Sequence, residues 1–281
     1  MKNKLKVGGF ELFWLDGGLC RFDGGTIFGP VPKVLWEKKV PSDQDNYVPL
    51  SARPILVKTP DALVVIESGL GNKLTDKQKK VFRIREEWRI PEDLNTLGID
   101  RGDVDFVILT HYDWDHSAGV VMHDGGELAL TFPNARHILQ KTEWEDVINP
   151  NIRAANTYWP VNIETLQKSG KLELVDGEAE IANGISVSLT GGHTRGHQII
   201  VMRSGKEEAM HLGDLLATHV HFNPLWLIGY DNFPLDSITM KTRYEKIGVS
   251  VGAWFTFYHD PAYLACKFDE KGNTVDSLKP V

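Results

Sequence analysis

Cysteine is nearly absent from this chain. Cys20 and Cys266 stand near opposite ends of 281 residues with no CxxC spacing, which excludes a disulfide framework and a thiolate zinc site. A reducing, cytoplasmic setting is the expectation. No stretch approaches the ~18 apolar residues of a membrane span, and the basic opening MKNKLKVGGFELFWLDGG lacks the apolar run of a secretion signal. Blocks of Lys and Arg are missing too. With 31 basic against 38 acidic residues the formal charge is −7, which argues against nucleic acid as a partner. There is no internal repeat or low-complexity tract, and the 14 prolines are scattered, so no linker is visible and residues 1–281 are expected to form one domain. What is present, 42% apolar and 25% charged residues, is the composition of a globular protein with a real core.

The chain opens with β-sheet signals. Phe10 to Leu15 reads as a strand, FGPVPKVLW (Phe28 to Trp36) as an aromatic loop, and Pro54 to Lys58 with Ala62 to Ile66 as a hairpin around a Thr-Pro-Asp turn. A helix-friendly stretch spans Lys73 to about Trp88, and a second helix is expected after Pro91, ending at Gly98. VDFVIL (Val104 to Leu109) is a nearly continuous apolar run, suited to a strand buried on both faces. Later strands are expected at His137 to Gln140, Ile185 to Leu189, Gln198 to Arg203, Glu208 to Leu212 and Ala253 to Phe257. Helices are expected near Thr142 to Val147, Ile163 to Lys168 and Asp236 to Ile247. Strands dominate early and helices punctuate later, which points to a β-sandwich with helices on its outer faces.

The chemistry concentrates in THYDWDHSAG (Thr110 to Gly119). Four donors, His111, Asp113, Asp115 and His116, crowd into six residues directly after the apolar strand. Imidazole and carboxylate together suit zinc, manganese or iron, and one short loop cannot fold all four around a single ion without strain, so two ions are expected. Further donors stand at strand ends: His193 or His197 in GGHTRGH, Asp214 in HLGDLL, and His259 in TFYHDP. His123, His137 and His219 read as ordinary surface or core histidines.

The order H-x-D-x-D-H, Gly-His loop, Gly-Asp, final His resembles the metallo-β-lactamase superfamily, and Glu67-Ser68-Gly69 resembles its D-T-G turn. Within it, Phe22 to Trp36, Ala52 to Thr59, Gly71 to Gln78 and His211 to Ser237 resemble the probable quorum-quenching lactonases of the YtnP type. The resemblance implies an αββα sandwich of two mixed sheets with outer helices, elaborated by loops and helices around residues 23–100. It implies a first metal held by His111, Asp113 and His193, a second by Asp115, His116 and His259, and Asp214 between them, with His197 behind. The implied cofactors are two divalent ions, zinc first. Two departures stand out. Asp113 occupies the place of the family's second histidine, a harder and anionic donor that shifts preference toward manganese or iron. Ala217 stands where the lactonases place a tyrosine three residues after the bridging aspartate, leaving His221 or Tyr230 to polarise a carbonyl.

The implied activity is hydrolysis of lactones, N-acyl homoserine lactones above all, by a hydroxide bridging the two ions, with Asp115 relaying the proton. Phe28, Trp36, Phe222 and Trp226 are the expected apolar wall for an acyl chain, with His221 and Tyr230 beside it. Competing readings are a diiron redox protein of oxygen or nitric oxide chemistry, favoured by Asp113, and a hydrolase of other esters or phosphotriesters. Partners are then a small lactone or ester and at most a second copy of the chain, with no nucleic acid and no membrane.

Overall fold

The computed structural model describes residues 3–281. Two seven-stranded sheets form its centre. The first runs, in spatial order, Lys4–Val7, Phe10–Trp14, Ile55–Lys58, Leu63–Ile66, Phe106–Ile108, Arg136–Gln140 and Leu172–Val175. Its first four strands are antiparallel, and Leu63–Ile66, Phe106–Ile108, Arg136–Gln140 and Leu172–Val175 are parallel neighbours. The second runs Glu178–Ala182, Ile185–Leu189, Gln198–Ser204, Glu207–His211, Trp254–Thr256, Ala265–Phe268 and Thr274–Leu278, with one parallel pair, Glu207–His211 beside Trp254–Thr256. Both sheets are therefore mixed. The parallel pairs matter for the site, because their strands end on the same side of the molecule and deliver side chains to one place.

The sandwich closes because alternate residues on both inner faces are apolar. Leu12, Trp14, Val57, Val64 and Ile108 of the first sheet meet Val187, Ile200, Met202 and Ala209 of the second in one buried cluster. Helices Ile90–Thr96, Lys141–Ile148 and Pro160–Ser169 cover the outer face of the first sheet through Leu94, Trp144 and Leu166. Helix Pro234–Val251 covers the second through Tyr244. That helix starts on a proline, whose missing N–H costs nothing there, and stops at Gly252 with φ +65°. Helix Pro160–Ser169 does the same between Pro160 and the left-handed Gly170. The αββα arrangement of the metallo-β-lactamase fold is thus realised, and no helix among the described residues is long and apolar enough to cross a membrane.

Two expected helices change shape. The stretch from Lys73 yields only Asp76–Val81, because Arg83 takes φ +48° and its guanidinium pairs with Asp43 and Asp45 over the ring of Tyr47. The next helix is Ile90–Thr96, with Pro91 inside its first turn rather than before it. The aromatic loop Phe28 to Trp36 contains a short helix, Lys33–Trp36.

At one close approach the fold demands glycine. A Cβ on Gly119 would lie 1.8 Å from the Ser68 carbonyl oxygen, where the Glu67 turn crosses the segment after the ligand loop. Gly119→Ala is expected to lower stability by about 3 kcal/mol through forced backbone movement, read as a lower midpoint in urea unfolding; an unchanged midpoint would show that this crossing is not tight.

Candidate metal centre

Five backbone segments converge at the ends of the central strands. Phe106–Ile108 leads into Thr110 and His111; the short helix Trp114–Ser117 carries Asp115 and His116; the loop after Ile185–Leu189 carries His193; Glu207–His211 leads to Asp214; Trp254–Thr256 leads to His259. His111, His116, His193, Asp214 and His259 are all buried, whereas Asp113 and Asp115 keep part of their side chains exposed. The accessible side of the chamber is therefore the side of these two carboxylates.

Two groups of ligand atoms form, each with all members within 4.8 Å: His111 with His193 and Asp214, and Asp115 with His116 and His259. Asp113 joins the first, its Oδ2 lying 3.4 Å from His193 Nε2 and 3.7 Å from His111 Nε2. Asp214 stands between the groups. Its Oδ2 is 3.5 Å from His193 Nε2, and its Oδ1 is 3.3 Å from the Nε2 atoms of both His116 and His259. His197 stays outside: its Nδ1 meets the Thr190 hydroxyl at 2.8 Å and its Nε2 sits behind Gly213.

The outward nitrogens of the four inner histidines each face an oxygen. His193 Nδ1 meets Asp231 at 2.8 Å, His259 Nδ1 the Ser51 carbonyl at 2.9 Å, and His116 Nδ1 the Glu67 carboxylate at 3.3 Å. His111 Nδ1 lies 2.9 Å from the Thr110 hydroxyl, which itself donates to Glu67 at 2.5 Å. These acceptors favour the proton on Nδ1, and in the neutral tautomer so set each Nε2 turns a lone pair to the chamber. His116 and His259 bring those lone pairs to within 3.0 Å of each other, and His111 Nε2 and Asp214 Oδ1 are buried with no hydrogen-bond partner. Acceptors facing acceptors in a buried space need cations between them. The donor set therefore fits two divalent metals, each held by two imidazoles and a carboxylate, with Asp214 between them.

In the metal-free chamber protons take the place of cations: burial opposes charge on His116 and His193, but the carboxylates around them prevail and raise both well above the usual imidazole range. Burial opposes the ionised form of Asp214, yet the facing His259, His116 and His193 outweigh it and hold the carboxyl well below the usual range. Burial raises Asp115. Glu67, at φ +63° at the end of strand Leu63–Ile66, is also pushed up by burial, but His116 prevails and brings it to about 2. A left-handed backbone at a non-glycine residue is strained, and here it turns the carboxylate under two of the histidines.

The expected wall residues separate into three places. Phe28 stacks on Trp36 at 4.9 Å and on His221 at 5.1 Å, with Trp226 edge-on at 6.0 Å. His221 is fully committed, its Nδ1 to the Thr218 hydroxyl at 2.7 Å and its Nε2 to the Ile27 carbonyl at 3.0 Å, and burial lowers it to about 3. Tyr230 is exposed and meets Phe22 edge-on. Phe222 turns the other way, onto Phe268 and Phe255 beyond the second sheet. A second array was not foreseen. Trp114, between Asp113 and Asp115, stacks on Phe82 at 4.1 Å and Trp159 at 5.0 Å, with Phe22 at 6.4 Å. Trp114, standing inside the ligand motif, was the available signal.

Residues 48–246 match the family model of the Metallo-beta-lactamase superfamily, and the chain belongs to that superfamily. Its relatives include a probable metal-dependent hydrolase from Staphylococcus aureus whose structure superposes with a TM-score of 0.93 at 37% identity, covering 98% of this chain and 99% of that one. An N-acyl homoserine lactonase from a Bacillus species is 28% identical over 199 residues, 70% of this chain and 71% of that protein. A probable metallo-hydrolase of Mycobacterium tuberculosis is 25% identical over 181 residues, 59% of this chain, and the match spans only 57% of that protein. The dizinc quorum-quenching lactonase AidC shares the fold at a TM-score of 0.79 and 22% identity, over 99% of this chain and 97% of that one.

Adding zinc or manganese to chelator-treated protein is expected to raise thermal stability, by about 2.7 kcal/mol per site at a free metal concentration of ~100 Kd. The gain should fade on acidification below about pH 6, as protons compete for imidazole. A melting temperature indifferent to metal at neutral pH would contradict the reading of the chamber.

Proposed function

We propose that this chain is a dinuclear metal-dependent hydrolase that opens lactone rings, with N-acyl homoserine lactones as its natural class, acting as a single cytoplasmic domain of residues 1–281. The observation that carries the reading is the set of four inward Nε2 atoms around Asp214, flanked by Asp113 and Asp115 on the accessible side. Relatives named as N-acyl homoserine lactonases, in Bacillus and as AttM in Azorhizobium caulinodans, support the substrate class. When bound, a pair of divalent ions supplies an activated water near neutral pH and compensates charge developing on an acyl oxygen.

The protein's own groups do the rest. Asp115, partly exposed and with its Oδ2 3.6 Å from His259 Nε2, takes the proton of the attacking water and returns it to the departing alkoxide. Tyr258 holds the segment in place by donating its hydroxyl to the Asp115 carbonyl. With both His221 nitrogens engaged, Tyr230 is the remaining hydroxyl for the substrate carbonyl, and His221 acts as wall. The acyl chain lies against Trp226, backed by the buried Phe28–Trp36 pair, on one side and the Trp114–Trp159 array on the other.

Asp113 supports a second reading of the metals. It gives each position two imidazoles and one carboxylate, a set that iron and manganese accept as readily as zinc. Elemental analysis with a visible spectrum separates a zinc hydrolase from an iron-containing redox centre.

Asp115→Asn is expected to lower lactone hydrolysis by ~10²–10⁴-fold with the fold retained; near-wild-type turnover would remove the relay from Asp115. Trp159→Ala is expected to raise KM for long acyl chains more than for short ones, and equal changes in both would take the Trp114 array out of the substrate pocket.

A further inference from the structure

The loops that carry the first metal position share one support that the second does not. Glu143 lies in the first turn of helix Lys141–Ile148 and is fully buried. Its Oε1 accepts the backbone N–H of Tyr112 at 2.9 Å, the residue between His111 and Asp113. Its Oε2 accepts the hydroxyl of Thr194 at 2.6 Å, the residue after His193. The Tyr158 hydroxyl completes the set at 3.3 Å to Oε1. One carboxylate therefore ties together the two backbone segments that present His111, Asp113 and His193.

The packing around it agrees. A Cβ on Gly196 would fall 2.1 Å from the Glu143 backbone nitrogen, so the His193 loop lies directly on the start of this helix. Arg195 fixes the same loop from outside, pairing with Asp146 at 2.7 Å and Glu145 at 3.2 Å. His116 and His259 are anchored separately, through Glu67 and through the Ser51 carbonyl. No contact of Glu143 reaches them.

The geometry points to Glu143 as a positioning residue for the first metal position alone: it clamps the His111–Asp113 segment to the His193 loop, so that losing the clamp costs one ion and spares the other. This inference rests on the dinuclear reading above and assigns a role to a residue outside the ligand set. It differs from a general stabilising role in a measurable way, because a residue that merely held the fold together would weaken both positions alike.

The test uses the full chain, stripped with a chelator and reloaded with zinc alone or cobalt alone, with bound metal counted per chain and the cobalt visible spectrum recorded. Wild type is expected to hold two ions. Glu143→Leu, of similar volume with no acceptors, is expected to weaken the first position by ~10–100-fold and so to hold one ion under the same conditions, with half of the cobalt absorption lost. Glu143→Gln, whose amide oxygen can accept from Tyr112 and whose amide N–H can donate to the Thr194 hydroxyl, is expected to keep two. If Glu143→Leu does not fold, Thr194→Val cuts one arm of the clamp and is expected to weaken the same position several-fold. Two ions held with wild-type affinity in the folded Leu or Val variant, equal weakening of both positions, or a Gln variant as defective as Leu would overturn the proposal. A wild-type chain holding fewer than two ions would overturn the dinuclear reading and this role with it.

Discussion

Everything in the site depends on one electrostatic constraint: four imidazole Nε2 atoms and the Asp214 carboxylate are turned toward the same buried chamber, where only added protons or cations can join them. Left alone, such a chamber is unfavourable, since buried acceptors lose water without gaining donors. Cations placed there would give every one of these acceptors a partner. The outer partners make sense only in that light. Asp231, Ser51, Glu67 and Thr110 each fix a ring so that its Nδ1 carries the proton, and that assignment leaves Nε2 free for metal.

The fold serves this constraint through its parallel strands. Leu63–Ile66 and Phe106–Ile108 in one sheet, and Glu207–His211 and Trp254–Thr256 in the other, run in matched directions and end beside one another. Glu67, His111, Asp214 and His259 follow those ends. The inter-sheet cluster of Ile108, Val64, Ile200 and Met202 sits directly behind, so the ligands project from the most rigid part of the sandwich. Strain is placed where it is functional, with Glu67 in a left-handed conformation beneath the histidines.

Much of this was readable from residue types. The six-residue run of His111, Asp113, Asp115 and His116 is chemically unmistakable, and the order of His193, Asp214 and His259 at strand ends adds to it. The buried strands announced themselves as apolar runs, Val104 to Leu109 above all. Edge strands did not: Lys4–Val7, Glu178–Ala182 and Thr274–Leu278 bury little and carry charge, so their membership in a sheet is decided by neighbours far along the chain. The same holds for supports of the centre. Ser51 acts through a main-chain carbonyl, which no sequence pattern reveals, and Glu143 reaches Thr194 across 51 positions. The Trp114 array was hidden likewise, since Phe22, Phe82 and Trp159 meet only in three dimensions.

Asp113 is the ligand by which this chain departs from the family's metal-binding pattern, and the structure gives it a consequence. With it, both halves of the centre offer two histidines and a carboxylate, arranged on either side of Asp214. The centre is more anionic and more symmetric than one with three histidines on one side, which ties metal choice to a single position. The most direct test is a crystal of the metal-loaded protein measured at the absorption edge of its metal. Two anomalous peaks flanking Asp214, one among His111, Asp113 and His193 and one among Asp115, His116 and His259, are the expected result. A single peak, or density at neither place, would contradict the account.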